Sequence, residues 1–283
     1  MENFDLTGWT MFSNRHNSEN YISPDGKWML KLGVSDSDVS RELLEREQAK
    51  SAKVAALGIP VPKIDRLVQV GNRCGLIYEY IPDKASISKC VGTHPEQMET
   101  CMKLFAEKCK LLHATQCDTT AFPSASQVYR SYFSTTTIFD DIAKEKVQTI
   151  LDNTPNVATC LHGDLQTGNM IVNGNGAYFI DLGSFSYGSP LFDLGNFYHF
   201  AFYAPEAYLK KAHYMDRSTM AKCWSIFAKY YFGAETPEAL ESVNQKVKPY
   251  ALVPILYFEH CLRAAGREAS MKPVLEQVLN DLE

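Results

Sequence analysis

Residues 160–183 bring together the side chains of this chain that could do chemistry. Asp164 ends a His-Gly-Asp tripeptide, Asn169 follows five residues later, and Asp181 opens an Asp-Leu-Gly tripeptide twelve residues after that. The apolar runs 170–172 and 178–180, separated by Asn-Gly-Asn-Gly, predict a β-hairpin. Its two ends would bring Asn169 close to Asp181, with Asp164 on the loop that leads into it. Phosphoryl transfer from a nucleotide needs such a set, because a carboxylate must accept the proton of the attacking hydroxyl and hard oxygen ligands must hold Mg²⁺.

A simpler interpretation of Asn169 and Asp181 is that both only support turns, as these residue types commonly do. The complete pattern fixes six positions, and average composition gives it a probability of roughly less than one in ten thousand in a random chain of this length. The pattern alone favours the chemical interpretation, and independent evidence for it comes from another part of the chain.

Lys31 supplies that evidence, because it lies in the run Trp-Met-Leu-Lys-Leu with apolar residues on both sides. A lysine there either extends its amine from an edge strand to water or is held for a purpose. The next predicted helix offers a partner, since Glu47 falls near the face that carries Leu43, Leu44 and Val54. A carboxylate in an apolar stripe is costly unless it is paired. We therefore predict an ion pair between Lys31 and Glu47 that directs the amine towards phosphate oxygens.

The elements that must position these residues change in character near residue 82. Short strands around one helix (39–57) are predicted before it, and mostly helices after it, apart from the hairpin region. The helices are expected at 97–113, 220–232, 249–267 and 273–282. The predicted fold class is α+β, with a small antiparallel β-sheet lobe containing one helix and a larger, mostly helical lobe. We expect residues 1–82 to form a nucleotide-binding domain and residues 83–283 to form a catalytic and substrate-binding domain.

Composition excludes several other classes of protein. The chain has 283 residues, 45% hydrophobic and 22% charged, with a net charge of −5, so it shows no basic footprint for nucleic acid. No apolar run approaches the roughly 18 residues of a membrane helix. The eight cysteines form no close Cys-x-x-Cys pair, so we expect no zinc site. No secretory signal is visible at the N-terminus, and the cysteines are scattered, so we expect a cytoplasmic location. A monomer is the default expectation.

The pattern around Asp164, Asn169 and Asp181 resembles the catalytic loop and metal-binding strand end of the aminoglycoside phosphotransferase/choline kinase-type enzymes, which have the protein-kinase-like fold. Further segments resemble that family in the expected order, over residues 25 to 200. They are Arg46-Glu47, Gly58-Ile59-Pro60-Val61-Pro62, Leu76 to Pro82, Leu112-His113 and Ser189 to Gly195.

The resemblance implies a phosphotransferase that uses ATP and Mg²⁺ to phosphorylate a small-molecule hydroxyl. It implies the following roles: Asp164 as catalytic base, Asn169 and Asp181 as Mg²⁺ ligands, Lys31 on the α- and β-phosphates with Glu47 positioning it, and the backbone of Glu79 and Ile81 on adenine. His113 and Asp193 are expected to support the fold, and His162 to orient the catalytic loop.

Two departures from the family pattern are visible. No Gly-x-Gly-x-x-Gly precedes the lysine strand, since Ser13–Asn20 contains no glycine. Side chains such as Ser13, Asn14 or Ser18 could reach the phosphates instead, or nucleotide affinity could be weak. The second departure, Asp-Leu-Gly in place of Asp-Phe-Gly at Asp181, is one that the family tolerates.

The acceptor and the activity have alternatives. Acidic residues such as Asp140 and Glu259 could bind an aminoglycoside, but Glu259, Arg263 and Arg267 are more simply a solvated ion-pair ladder on one helix. An aromatic cage could bind a choline-like amine, and a sugar or amino-alcohol is equally allowed. The main alternative to an active kinase is a kinase-like nucleotide-binding module, or pseudokinase. A protein kinase proper is a weaker match, because the loop lacks His-Arg-Asp.

Overall fold

The computed structural model describes residues 2–14, 18–33, 38–263 and 266–283. The strands are β1 (Glu2–Asn3), β2 (Thr10–Asn14), β3 (Ser18–Ile22), β4 (Trp28–Gly33), β5 (Ile64–Val70), β6 (Arg73–Glu79), β7 (Ala85–Ser86), β8 (Cys160–Leu161), β9 (Met170–Asn173), β10 (Gly176–Phe179) and β11 (Ser186–Tyr187). The helices are α1 (Asp38–Ala56), α2 (Ile87–Thr93), α3 (Met98–Ala114), α4 (Ala125–Phe133), α5 (Asp141–Asn153), α6 (Leu191–Phe202), α7 (Glu206–Tyr208), α8 (Arg217–Phe232), α9 (Pro237–Val247), α10 (Val253–Arg263) and α11 (Lys272–Asn280).

The chain divides into two compact units. Residues 1–85 and 171–183 form the sheet unit, and residues 86–170 and 184–283 form the helical unit. The predicted fold class is confirmed, because a small, largely antiparallel sheet with one described helix is followed by a mostly helical part. The expected assignment of nucleotide binding to 1–82 and of catalysis to 83–283 stays a prediction.

The main sheet of the sheet unit has the strand order β1-β5-β6-β4-β3-β2. Its neighbours are antiparallel, except that β1 runs parallel to β5. Strand β4 therefore lies inside the sheet, between β3 and β6, and pairs Lys31 with Leu76. This central position excludes the interpretation in which Lys31 extends from an edge strand.

Alternation along β4 separates two apolar clusters. Leu30 and Leu32 are fully buried and pack with Val68 and Ile77. Because successive side chains of a strand point to opposite faces, Lys31 points away from that cluster. Its register partner Leu76 belongs to a second cluster with Leu44 of α1, so the face that carries Lys31 is the face that α1 covers.

The predicted hairpin is confirmed and belongs to the sheet unit. Strands β9 and β10 are joined by a turn in which Asn173 Oδ1 accepts the backbone N–H groups of Asn175 and Gly176. Phe179 N donates to Pro60 O at 2.9 Å, and Asn173 Nδ2 donates to Pro82 O at 3.2 Å. The hairpin is thus bonded to the segments on either side of β5 and β6.

The helical unit is built around aromatic side chains of α3, α6 and α8. Phe105, Phe197, Trp224 and Phe227 are fully buried, with ring centroids 5.1 to 5.9 Å apart. The helix expected over 249–267 is shorter than predicted, because a 3₁₀ turn (Lys248–Leu252) precedes α10 and α10 ends at Arg263. No helix among the described residues is long and apolar enough to cross a bilayer.

Candidate functional site

The loop that carries Asp164 leaves β8 and enters a 3₁₀ turn, Thr167–Asn169. The loop passes so close to another backbone segment that Gly163 cannot be replaced easily. A Cβ atom on Gly163 would lie 2.0 Å from Ser184 O, and the φ angle of +80° is one that side-chain-bearing residues rarely adopt. The glycine of the His-Gly-Asp tripeptide is therefore required by packing.

Three side-chain amides donate to the Asp164 carboxylate. Asn169 Nδ2 lies 2.9 Å from Asp164 Oδ2 and 2.9 Å from the Asp164 carbonyl oxygen. Gln166 Nε2 lies 3.3 and 3.2 Å from the two carboxylate oxygens, and Asn196 Nδ2 lies 3.2 Å from Oδ1. The structure thus brings together two predicted site residues, Asp164 and Asn169, and holds the carboxylate from several sides.

The side chain of Asp193 accepts hydrogen bonds from the backbone of this loop. Its two carboxylate oxygens accept the N–H groups of His162 at 2.7 Å and Gly163 at 2.8 Å. His113 Nε2 lies 3.1 Å from Asp193 Oδ2, and its Nδ1 lies 2.7 Å from the Tyr231 hydroxyl. Asp193 is only 1% exposed, so it is a buried carboxyl group whose bonds to the backbone determine the path of the loop. His113 and Asp193 therefore support the loop as well as the fold.

His162 also contacts the loop directly. It is fully buried, and Asp164 N lies 3.3 Å from its Nδ1. His162 therefore contacts the loop through the backbone N–H of Asp164, and its role in orienting a catalytic loop stays a prediction.

The charge of Asp164 helps to raise the pKa of three tyrosines of the helical unit, which are Tyr129, Tyr208 and Tyr257. Burial raises the pKa of Tyr257, and the Cys261 thiol and the Asp164 carboxylate raise it further. Burial also raises the pKa of Tyr208, and Asp164 adds to the effect. Because Tyr208 is still 44% exposed, it offers an aromatic face to solvent in the neighbourhood of the carboxylate.

Lys31 and Glu47 form the predicted ion pair in the sheet unit. Lys31 Nζ lies 2.7 Å from Glu47 Oε2, and the two side chains are 30% and 26% exposed. Glu47 lies on the same stripe of α1 as buried Leu44 and Val54, as expected, whereas the side chain of Leu43 lies outside the described residues. The amine is therefore held on one side and is still accessible to solvent.

Asp181 follows β10, so it lies in the sheet unit with Lys31 and Glu47. It is exposed and has a φ angle of +64°, which is strained for an aspartate and is typical of functional turns. Lys50, one turn beyond Glu47 on α1, donates its amine to Gly183 O at the end of the same turn. Asp164 and Asn169 lie in the helical unit, so the meeting of Asp181 with them stays a prediction.

The segment expected to bind adenine ends strand β6. Glu79 N donates to Lys63 O at 2.7 Å, Tyr80 N donates to Lys27 O at 2.8 Å, and the Ile81 side chain is buried. The carboxylate of Glu79 accepts from Lys63 N at 3.2 Å, so that side chain supports the turn before β5.

A cavity of about 350 Å³ lies nearby in the sheet unit. Trp28 lines it, and Trp28 is three residues from Lys31 on β4, so the two side chains point to opposite faces of the sheet. This cavity is therefore not the candidate phosphate site.

The glycine-free segment before the lysine strand forms parts of β2 and β3. Ser13 Oγ accepts from Asn20 Nδ2 at 3.0 Å, and Ser18 is buried. The turn residues 15–17 and the Asn14 side chain lie outside the described residues. Of the expected phosphate contacts, Ser13 is thus already bonded to a neighbouring strand.

The interpretation of Glu259 as part of a solvated ladder is wrong. Glu259 is only 1% exposed, and it accepts from Thr137 N at 2.7 Å, from the Thr136 hydroxyl, and from Arg263 at 2.8 Å. Arg267 lies beyond the end of α10, because that helix stops at Arg263. Glu259 instead holds the loop before α5, which removes it from the candidates for amine binding.

Asp140 is likewise used by the fold. Its side chain caps α5 by accepting Ala143 N at 2.8 Å. Among the described residues, no cluster of three His, Cys, Asp or Glu side chains is arranged to hold a metal ion. Of the two predicted Mg²⁺ ligands, Asp181 and Asn169, only the aspartate is one of these four residue types, so their role stays a prediction.

Sequence reasoning missed Gln166 and Asn196. Asn196 is buried and also donates to Leu165 O at 3.1 Å. It lies three residues after Asp193 on α6, so both side chains fall on the helix face that meets the loop. That spacing is a signal in the sequence that could have identified Asn196.

Comparison with protein families gives one match. The model of the phosphotransferase enzyme family matches residues 13–217 of the chain. A search of the curated proteins found no match.

Solved structures similar to this chain include an aminoglycoside phosphotransferase APH(4)-Ia with ADP and hygromycin B, with a TM-score of 0.68 and 12% identity over 96% of this chain and 93% of that one. An amicoumacin kinase with AMP-PNP, Ca²⁺ and Ami has a TM-score of 0.61 and 14% identity, over 99% and 90%. A choline/ethanolamine kinase family protein from Mesorhizobium loti has a TM-score of 0.56 and 15% identity, over 97% and 88%. These likenesses confirm the predicted protein-kinase-like fold.

Proposed function

The chain belongs to the phosphotransferase enzyme family, and on that premise we propose that it moves the γ-phosphoryl group of ATP to a hydroxyl of a small molecule. The observation that carries the proposal is the Asp164 carboxylate, which three side-chain amides hold in place. A carboxylate fixed in this way can orient an attacking hydroxyl and accept its proton, with little reorganisation.

The oxygen donors expected for Mg²⁺ have suitable chemistry. Asn169 donates its amide N–H groups to Asp164, so its side-chain oxygen is left to act as a ligand. Asp181 adds an exposed carboxylate in a strained turn. Both are the hard oxygen donors that Mg²⁺ prefers, and the bound ion would neutralise charge on the phosphate oxygens.

Residues of the sheet unit would bind the nucleotide. Lys31 would donate to the α- and β-phosphates, and Glu47 would keep the amine in position. The backbone of Glu79 and Ile81 would bind adenine. Since the N–H groups of Glu79 and Tyr80 already donate to other residues, the N–H of Ile81 is the donor that we assign to the base.

The acceptor stays a class rather than a compound: an aminoglycoside, a choline-like amino-alcohol or a sugar. The loss of Glu259 and Asp140 to structural roles weakens the case for a highly cationic acceptor. The pseudokinase alternative gains no support, because Lys31, Glu47, Asp164, Asn169 and Asp181 are all retained. We also propose a cytoplasmic location, because the eight cysteines are free thiols.

The test measures ADP formation from ATP and Mg²⁺ with hygromycin B, choline, ethanolamine and glucose. We expect at least one acceptor to stimulate ADP formation, and Asp164→Asn to lower kcat by at least about 100-fold because the base is lost. Asp152→Asn, an exposed carboxylate in the same unit, is the matched control and should keep activity within about twofold.

Nucleotide binding is measured separately, as the rise in melting temperature caused by ATP and Mg²⁺. Binding without turnover of any acceptor would favour the pseudokinase. Equal kcat for the wild type and Asp164→Asn would show that the base is assigned wrongly.

A further inference from the structure

Three polar side chains are buried together beneath the loop of Asp164. Ser88 Oγ lies 2.7 Å from Thr167 Oγ1 and 2.8 Å from His213 Nδ1, and Thr167 Oγ1 lies 3.4 Å from the same nitrogen. Ser88 and Thr167 are fully buried, and His213 is 1% exposed. Polar groups buried at this depth are costly unless they are bonded, so their mutual bonds hold them together.

The cluster joins three segments of the helical unit. Ser88 is in the first turn of α2, Thr167 opens the 3₁₀ turn that contains Asn169, and His213 ends a π-helical turn, Leu209–His213. π-helical turns are rare and occur frequently at functional sites. The next residue, Tyr214, has a φ angle of +59°, and its carbonyl oxygen would lie 2.4 Å from a Cβ atom on Gly92 of α2. This close contact between backbones fixes the π-helical turn against α2.

The 3₁₀ turn divides its side chains between two directions. Gln166 and Asn169 donate to Asp164, whereas Thr167 between them is directed into the buried cluster. Asn169 N also donates to Gln166 O at 3.0 Å, so the turn is closed on itself. Moving Thr167 would therefore move Gln166 and Asn169, two of the three residues that donate to the Asp164 carboxylate.

The imidazole of His213 has one free nitrogen, since Nε2 is buried and has no hydrogen-bond partner among the described residues. A neutral imidazole carries one N–H and one lone pair. With the proton on Nε2 that N–H has no acceptor among the described residues, and with the proton on Nδ1 the Thr167 hydroxyl has none, so either tautomer leaves one buried donor unpaired in the cluster.

We propose that Ser88 and His213 are positioning residues, which act through Thr167 to set the places of Asn169 and Asp164. The proposal rests on the proposed function for its kinetic consequence, but its geometric consequence is independent of activity. His213 also packs against Tyr208, whose exposed ring lies near Asp164, with ring centroids 5.7 Å apart.

The variants remove one hydroxyl at a time. Thr167→Val and Ser88→Ala each break the hydrogen bonds of the cluster, whereas Thr167→Ser keeps the hydroxyl. Thr93→Val removes an exposed hydroxyl of α2 and is the matched control. Thermal unfolding identifies any variant that does not fold, and Ser88→Ala, which adds no volume, serves if Thr167→Val fails.

With ATP and an acceptor that the wild type phosphorylates, Thr167→Val and Ser88→Ala should lower kcat about tenfold or more. They should raise the Mg²⁺ concentration for half-maximal rate several-fold, because Asn169 is displaced, and leave the KM for ATP within about twofold. Thr167→Ser and Thr93→Val should stay within about threefold of the wild type. Unchanged kcat and unchanged Mg²⁺ dependence in both disruptive variants would overturn the proposal.

Nuclear magnetic resonance gives the readout that does not need activity. In the wild type, ¹⁵N-labelled His213 should be neutral, and the side-chain amide signals of Asn169 should shift in Ser88→Ala but not in Thr93→Val. An Asn169 amide that is unchanged in Ser88→Ala would contradict the proposal even if no acceptor is turned over. A wild type that forms no ADP while these signals behave as expected would overturn the proposed function alone.

Discussion

The two units hold their charged site residues in different ways. In the helical unit, Asp164 receives three amide donors, and the loop beneath it is bonded to a buried aspartate, Asp193. In the sheet unit, Lys31 and Glu47 form an ion pair with side chains about 30% and 26% exposed. The Asp164 loop is fixed by buried hydrogen bonds, whereas Lys31 and Glu47 are held only by an ion pair that is partly exposed to water.

This difference separates folding from ligand binding. Buried polar groups contribute strongly to stability, because leaving one of them without a partner costs its full desolvation energy. A partly exposed ion pair contributes little to folding and is free to gain a phosphate partner. We therefore expect substitutions in the Asp164 loop to change stability and activity together, and substitutions of the ion pair to change nucleotide use with only a small change in stability.

Asp193→Asn should have the largest effect on stability. It replaces one carboxylate oxygen with an amide that cannot accept from both His162 N and Gly163 N. We expect the free energy of unfolding to fall by roughly 3 kcal/mol, and kcat to fall at least about tenfold, because the loop loses a buried, charged acceptor. Urea unfolding and ADP formation measure the two effects.

Asp141→Asn is the matched control for that variant, because Asp141 is an exposed aspartate in the first turn of α5. Its free energy of unfolding should change by less than about 0.5 kcal/mol. If Asp193→Asn had an equally small effect, the hydrogen bonds of Asp193 would not be what fixes the loop in the helical unit.

Acid should destabilise the helical unit through two buried histidines. Burial lowers the pKa of His199 and of His213 to about 4, whereas an unfolded histidine keeps a pKa near 6.5. Between these values the unfolded state binds more protons than the folded state, so stability falls as the pH is lowered from 6.5 to 4. The complete loss is roughly 3 kcal/mol for each imidazole.

Urea unfolding at pH 7.5 and pH 5 measures this loss. His199→Gln should be less stable than the wild type at pH 7.5, because His199 Nδ1 lies 3.2 Å from Ala251 O in the core. It should also show a smaller difference between the two pH values. A wild type whose stability is the same at both would show that these imidazoles do not remain neutral in the folded protein.

The sequence predicted local features better than features that depend on distant packing. The hairpin around Asn173 was predictable because its turn signal is short and unambiguous, and the stripe on α1 because its period is regular. The ion pair of Lys31 and Glu47 followed from the cost of an unpaired charge among apolar residues.

Other features depended on contacts far apart in the sequence. Glu259 occurs four residues before Arg263 in a helix, a spacing that is typical of surface ion pairs, yet the loop at Thr137 covers it. The cluster of Ser88, Thr167 and His213 joins residues up to 125 positions apart. No local pattern distinguishes such residues from ordinary polar ones, so only the tertiary structure reveals them.

The smallest expected effect on stability is that of the ion pair in the sheet unit, and it gives the sharpest comparison. In a double-mutant cycle of Lys31→Met and Glu47→Gln, we expect a coupling energy of about 0.5 to 1 kcal/mol in unfolding, because both side chains are partly solvated. The value of kcat/KM for ATP should nevertheless fall at least about tenfold in Lys31→Met, since a charged donor to phosphate is lost.

The pair Arg73–Glu19 in the same sheet, 2.9 Å apart and 30% and 21% exposed, is the matched control. Its cycle should give a similar coupling energy and leave kcat/KM for ATP unchanged, so equal kinetic losses in the two cycles would mean that Lys31 acts only through the stability of the sheet.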